Sequence, residues 1–172
     1  LFGASLSFSG GVLLVGAPET HGQEGVVYTF VADETGEFER SGTLSAFGDS
    51  TLPLFGSVLS ANSGFALVGA YDPVRRKGGA YMVEAKGAGK FEPSQMLQGV
   101  PMDFRADFAT ALVLSDRLAV VGAKSDLFGY GSTYIYESSD REAGWALTDQ
   151  LKPGLLYRHH SITGGKVKCD EG

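Results

Sequence analysis

Tyr28, Tyr81 and Tyr134 stand 53 residues apart; Phe2, Phe55 and Phe108 keep the same interval, and so do Gly16, Gly69 and Gly122. A period near 50 residues means that one supersecondary unit is written three times, so the chain must be read as an array of like units. A repeat supplies a scaffold. Chemistry is then to be sought at the positions where the copies differ.

Each copy reads as four short strands. In the first, Phe2 to Phe8 alternates, Gly10-Gly11 makes a turn, and Val12 to Val15 is a continuous apolar run suited to a strand covered on both faces. A polar loop, Glu19 to Glu24, leads to a third strand rich in β-branched and aromatic residues, Gly25 to Phe30, and Phe38 to Leu44 forms a more polar fourth. The second copy repeats the order over Phe55–Leu59, Phe65–Ala70, Ala80–Val83 and Phe91–Leu97. The third does so over Phe108–Leu112, Leu118–Ala123, Thr133–Tyr136 and Trp145–Leu151, with one residue inserted before Trp145. Four strands per unit in meander order, with no helical stretch, predict all-β propeller blades; a β-sandwich would not explain the strict period. The expected boundaries are residues 1–53, 54–106 and 107–152 for the three blades, with 153–172 as a tail or partial fourth unit.

The recurring residues have packing reasons. The glycine of each Val-Gly-Ala follows an inner strand, where a side chain would crowd the neighbouring blade or meet an unfavourable φ. The recurring aromatics are large enough to fill the wedge between two radiating sheets.

Phe2-Gly3 followed by Val15-Gly16-Ala17-Pro18 and Gly25-Val26-Val27-Tyr28 resembles the FG-GAP repeat, the blade unit of integrin α-subunit β-propellers. The second copy keeps Phe55-Gly56 and Gly69-Ala70 with Tyr71 in place of proline; the third keeps Phe108 and Gly122-Ala123 but has Ala109 and Lys124. The resemblance covers residues 1 to about 151 and implies a blade fold without transferring an activity. By that resemblance, several family blades hold calcium in a closely spaced acidic loop between the second and third strands. Here those loops are residues 19–24, 72–77 and 125–130, and none supplies the carboxylates that six to eight oxygen ligands require. The expectation is therefore no metal and no cofactor in these blades.

The net charge of −6 argues against a nucleic-acid surface, which needs clustered cations. Arg75-Arg76-Lys77 is the nearest such cluster and reads as a solvated loop, with a partner contact as the alternative. No apolar run approaches the ~18 residues of a membrane helix. The chain opens at Leu1 rather than methionine, which suggests a processed or truncated product. Cys169 is the single cysteine, so an internal disulfide is excluded and the redox compartment stays open.

No catalytic constellation assembles. His21 lies in a polar loop with Glu19 and Glu24; His159 and His160 are adjacent and would point to opposite sides of an extended chain. Asp49, Asp103 and Asp107 recur before first strands without a base or nucleophile to match. Gly87-Ala88-Gly89-Lys90 connects two strands and lacks the helix and Lys-Ser/Thr ending of a phosphate loop. The chain is expected not to be an enzyme.

Three blades are too few for a ring, for which four to eight are typical. Either the chain is a piece of a larger propeller, or another chain completes it, for example two copies giving six blades. Counting onward from Leu151 lands on Ile162, and Ile162 to Cys169 reads equally as a degraded fourth unit, a lysine-guarded edge or a tail. The leading expectation is a non-catalytic module for protein–protein or cell-surface binding, extracellular by resemblance, with the open blade faces or rim loops as contact surface. The alternatives are a structural subunit of a large assembly and the accessory propeller of a larger hydrolase.

Overall fold

The computed structural model describes residues 1–48, 52–62, 64–99, 107–139 and 144–153. Three four-stranded antiparallel sheets account for it, each a meander in chain order. The first holds β1 (Ser5–Ser9), β2 (Val12–Ala17), β3 (Val26–Ala32) and β4 (Phe38–Leu44). The second holds β5 (Val58–Asn62), β6 (Phe65–Asp72), β7 (Lys77–Gly87) and β8 (Lys90–Leu97). The third holds β9 (Phe108–Leu114), β10 (Leu118–Ala123), β11 (Ser132–Glu137) and β12 (Ala146–Leu151). The fold is all-β apart from one helical turn, α1 (Asp126–Gly129), in the β10–β11 loop, where the sequence suggested none.

Phe2-Gly3 and Phe55-Gly56 precede their strands instead of opening them. Gly3 and Gly56 sit at φ +85° and +86°, in the left-handed region that favours glycine, and so turn the chain before the strand begins. The turn brings two successive N–H groups onto one carbonyl: Gly3 and Ala4 onto Gly16, Gly56 and Ser57 onto Gly69. In the third copy Ala109 holds the same left-handed position at φ +63°.

A register shift recurs at one place in every sheet. Between Thr29 and Phe30, Met82 and Val83, and Ile135 and Tyr136, the partner strand carries one extra residue, respectively Ser41, Ser94 and Thr148. Such a bulge increases the local twist of the outer strand. The residue inserted before Trp145 leaves it in place.

The core lies between sheets. One cluster joins Leu14, Val27 and Leu44 of the first sheet to Phe55, Leu59, Val68 and Tyr81 of the second unit. The other joins Leu67, Met82 and Leu97 to Phe108, Val121, Tyr134 and Trp145. A single sheet of this kind has no interior of its own, so its apolar faces are stabilised only by a neighbour. The recurring aromatics follow that rule: Phe55, Phe108, Tyr81 and Tyr134 are buried, whereas Phe2, against which no other described sheet packs, is 64% exposed.

The crowding expected of the recurrent glycine is present at two copies. A Cβ on Gly16 would collide with the carbonyl oxygen of Gly56, and one on Gly69 would lie 2.8 Å from that of Ala109. At Gly122 the nearest described neighbour is Ala111 of its own sheet, 3.2 Å away. Crowding rather than φ is the reason, since none of the three is left-handed.

Candidate functional site

The seam between the second and third sheets holds a polar cluster built from positions where the copies differ. Tyr71 stands where the other copies have Pro18 and Lys124, and Arg76 where they have Gln23 and Gly129. Asp107 replaces Leu1 and Leu54, and Ser125 replaces Glu19 and Asp72.

Local turn chemistry sets these side chains. Asp72, at the end of β6, accepts the N–H groups of Val74 and Arg75 at 2.9 Å each, an Asx turn that folds the chain back toward β7. Arg76 closes the turn at φ +55° and offers its carbonyl to the Asp107 N–H at 3.3 Å. The same backbone tie occurs one period earlier, where Gln23, at φ +79°, accepts the Leu54 N–H at 2.7 Å. The tie is thus common to both seams, and the side-chain cluster is added at the second.

Asp107 is only 2% exposed and every lone-pair position on its carboxylate is used. Oδ1 accepts Tyr71 Oη at 2.6 Å and Arg76 Nε at 3.1 Å; Oδ2 accepts Arg76 Nη2 at 2.7 Å and the Ser125 hydroxyl. Lys124 Nζ lies 5.8 Å from the centre of the Tyr71 ring. The bonds from Arg76 hold the Asp107 carboxyl well below the usual carboxylate range, against burial, and those from Ser125 and Tyr71 add to the effect. Burial, then Asp107 itself, pushes the Tyr71 hydroxyl up. A carboxylate so saturated is a fastener: it has no free lone pair to accept a substrate proton.

A second buried carboxylate, Asp126, opens α1. It accepts Leu127 N–H at 2.8 Å, Tyr134 Oη at 2.6 Å, Gln150 Nε2 at 3.0 Å and the Ser132 hydroxyl. Burial alone would raise its pKa; the bonds from Ser132, Tyr134 and Leu127 outweigh it, and the net direction is down. Burial, with Asp126 second, pushes the Tyr134 hydroxyl up to about 12. This carboxylate, in the loop compared above with calcium loops, turns inward and ties α1 to β11 and β12.

No protein-family model matches the chain, and no curated protein matches its sequence.

Of the residues singled out from the sequence, Asp107 and Arg76 come together; in the loop expected to be solvated, Arg75 and Lys77 are exposed while Arg76 also reaches across the seam. Arg75 pairs with Asp72 at 2.8 Å, and Lys77 is exposed. His21 is an exposed loop residue at φ +54°. Asp49, Asp103, His159, His160, Cys169 and the segment Ile162 to Cys169 lie outside the described residues. Among the described residues, no group of three or more His, Cys, Asp or Glu is placed to hold a metal ion, and no helix is long and apolar enough to cross a membrane.

The sequence reading missed that Asp107 and Arg76 form a pair, and missed Asp126 and Tyr134 altogether as partners. The available signal was the departure of Tyr71, Arg76, Asp107 and Ser125 from the repeat.

On the same rim, a hollow of about 700 Å³ opens between the loops of the first two units. Gln23, Glu24, Pro53, Asp72 and Arg75 line it, with Val74 at its edge 89% exposed. This surface combines an apolar tip with charges of both signs.

Proposed function

We propose that the chain is a non-catalytic β-propeller interaction module that mediates protein–protein or cell-surface binding on the outer side of a cell, with the rim loops as contact surface. The observation that carries this reading is that two successive seams are built alike. Ser7 Oγ accepts the Ala61 N–H at 2.9 Å, and one period on Ser60 Oγ accepts the Leu114 N–H at 2.9 Å. The first strands β1, β5 and β9 are the close neighbours at these seams, while β4 and β8 meet far less. Sheets joined along their inner strands and parting at their outer ones are what blades around an axis require. The Phe-Gly turns support the FG-GAP reading of the first two blades, and the saturated carboxylates Asp107 and Asp126 support a role without catalysis.

Two measurements test this reading. Spin labels at Glu39, Glu92 and Ala146, equivalent positions near the outer edge, report the splay. Blades give a 39-to-146 distance shorter than the sum of the 39-to-92 and 92-to-146 distances; equality would mean a flat stack and end the propeller reading. For the function, fluorescent chain is applied to intact cells. Saturable binding, competed by unlabelled chain and lost on Val74→Asp, is expected, and non-saturable binding would overturn it.

A further inference from the structure

The two outward faces of the array are the two halves of the seam that the chain already makes twice. The face that each later sheet turns toward its predecessor is led by Phe55, Leu59 and Tyr81 in the second unit and by Phe108, Leu112 and Tyr134 in the third. Their counterparts in the first unit are Phe2, Leu6 and Tyr28. Phe2 and Leu6 are 64% and 62% exposed, and the ring contacts of Phe2 are with Tyr28 and Phe30 of its own sheet, at 5.5 and 6.2 Å between ring centres. The opposite face follows the same rule. Leu14 and Leu67 are fully buried against the next unit, while their counterpart Val120 is half-buried and Leu151, the counterpart of Leu44 and Leu97, is 53% exposed.

The fittings also match. Gly16 lacks a Cβ where the Phe55-Gly56 turn passes against it and Gly69 where the Phe108-Ala109 turn does, and Gly122 is a glycine with no such turn against it among the described residues. Gly25 and Gly78 likewise leave room for the backbone of Phe55 and Phe108, and their counterpart is Gly131. The first unit displays the missing piece, a Phe-Gly turn at Phe2-Gly3 with Gly3 already left-handed and nothing within 4 Å of its Cβ position. One fitting changes. The serine that bonds across each internal seam, Ser7 and then Ser60, is replaced by Val113, which is 59% exposed. The residue it would meet is the counterpart of Ala61 and Leu114, namely Phe8, itself 60% exposed. A hydrogen bond is thereby exchanged for an apolar contact, which suits a junction between chains held by burial.

We propose that a second copy of this chain docks head to tail, its Phe2-Gly3 turn and Leu6 seating on Gly122, Gly131 and Val113 of the third sheet. The inference rests on the blade reading of the sheets. Because the two surfaces differ, the contact is heterologous: it closes if the rotation returns on itself and otherwise extends.

Light scattering on the full chain across the micromolar range tests it. The expected result is a mass rising from the 18.1 kDa of one chain toward twice that value, or an open series if the ring does not close. Leu6→Glu and Val113→Glu each place a charge in the apolar junction and should weaken association by about a hundredfold or more, with the circular dichroism spectrum and melting temperature of the single chain retained. An equimolar mixture of the two variants should associate again, since one junction between them is unaltered. A chain that stays monomeric, or a Val113→Glu variant that still pairs through its first sheet, overturns the proposal. The spin-label distances decide the blade reading separately, so splayed sheets in a monomeric chain would end the docking proposal alone.

Discussion

Arg76 grips Asp107 with two nitrogens, Nε at 3.1 Å and Nη2 at 2.7 Å, across a seam that joins residues of different sheets. The guanidinium is 43% exposed and the carboxylate 2%, so the seam buries the anion and leaves its cation half in water. Asp107 is the hub of the arrangement. Removing it strands no buried charge but deletes four bonds at once.

Asp107→Asn should lower stability by about 1–3 kcal/mol at neutral pH, since the lost bonds are to a charged group. The folded-state pKa of Asp107 is depressed, so its contribution is present above the unfolded value of about 4 and fades as pH falls toward the folded one. Urea unfolding of both proteins should therefore show their midpoints converging below about pH 4. A gap that stays constant with pH would show that the ionised carboxylate is not the source.

Ala109→Gly should stabilise the chain. Ala109 holds φ +63° where the other two copies use glycine, and a Cβ in that region costs roughly 1–2 kcal/mol, partly offset by the extra entropy of unfolded glycine. A gain of about 0.5–1 kcal/mol, or a few degrees in Tm, is expected. A loss of stability would mean that the buried methyl group outweighs the strain.

The recurrent glycine should answer differently by copy. Gly16→Ala and Gly69→Ala force a methyl group against the backbone of the next unit and should cost several kcal/mol, about 3 or more. Gly122→Ala meets only Ala111 at 3.2 Å and should stay within about 1 kcal/mol of wild type. Chemical denaturation of the three variants below the concentration of any association decides it; equal losses would refute the account of crowding.

The same contrast applies to the aromatics. Phe55→Ala opens a cavity against Tyr81, whose ring centre lies 5.3 Å away, and should cost about 3–5 kcal/mol. Phe2→Ala, at 64% exposure, should cost less than about 1 kcal/mol in the isolated chain. Comparable losses at the two positions would show that the first sheet is covered in solution.

Much of the fold was legible because packing left a periodic mark. β4 (Phe38–Leu44) and β10 (Leu118–Ala123) appear where alternation and apolar runs placed them. The first strands began later than expected at Phe2 and Phe55, since a left-handed glycine turn looks, in sequence, like any Phe-Gly pair. The seam cluster was not legible. Arg76 and Asp107 are 31 positions apart in different units, and each looks like an ordinary loop charge by itself.

The sequence by itself determined the unit: its length, its four strands, and which positions must be small or aromatic. These follow from local pattern and from a period that only repeated packing explains. The tertiary structure alone decided what each copy does with the same residue. Phe2 and Phe55, or Gly122 and Gly16, are identical in sequence terms and differ only in what lies against them. Burial belongs to a pair of surfaces, and a single position in a chain carries no record of its neighbour.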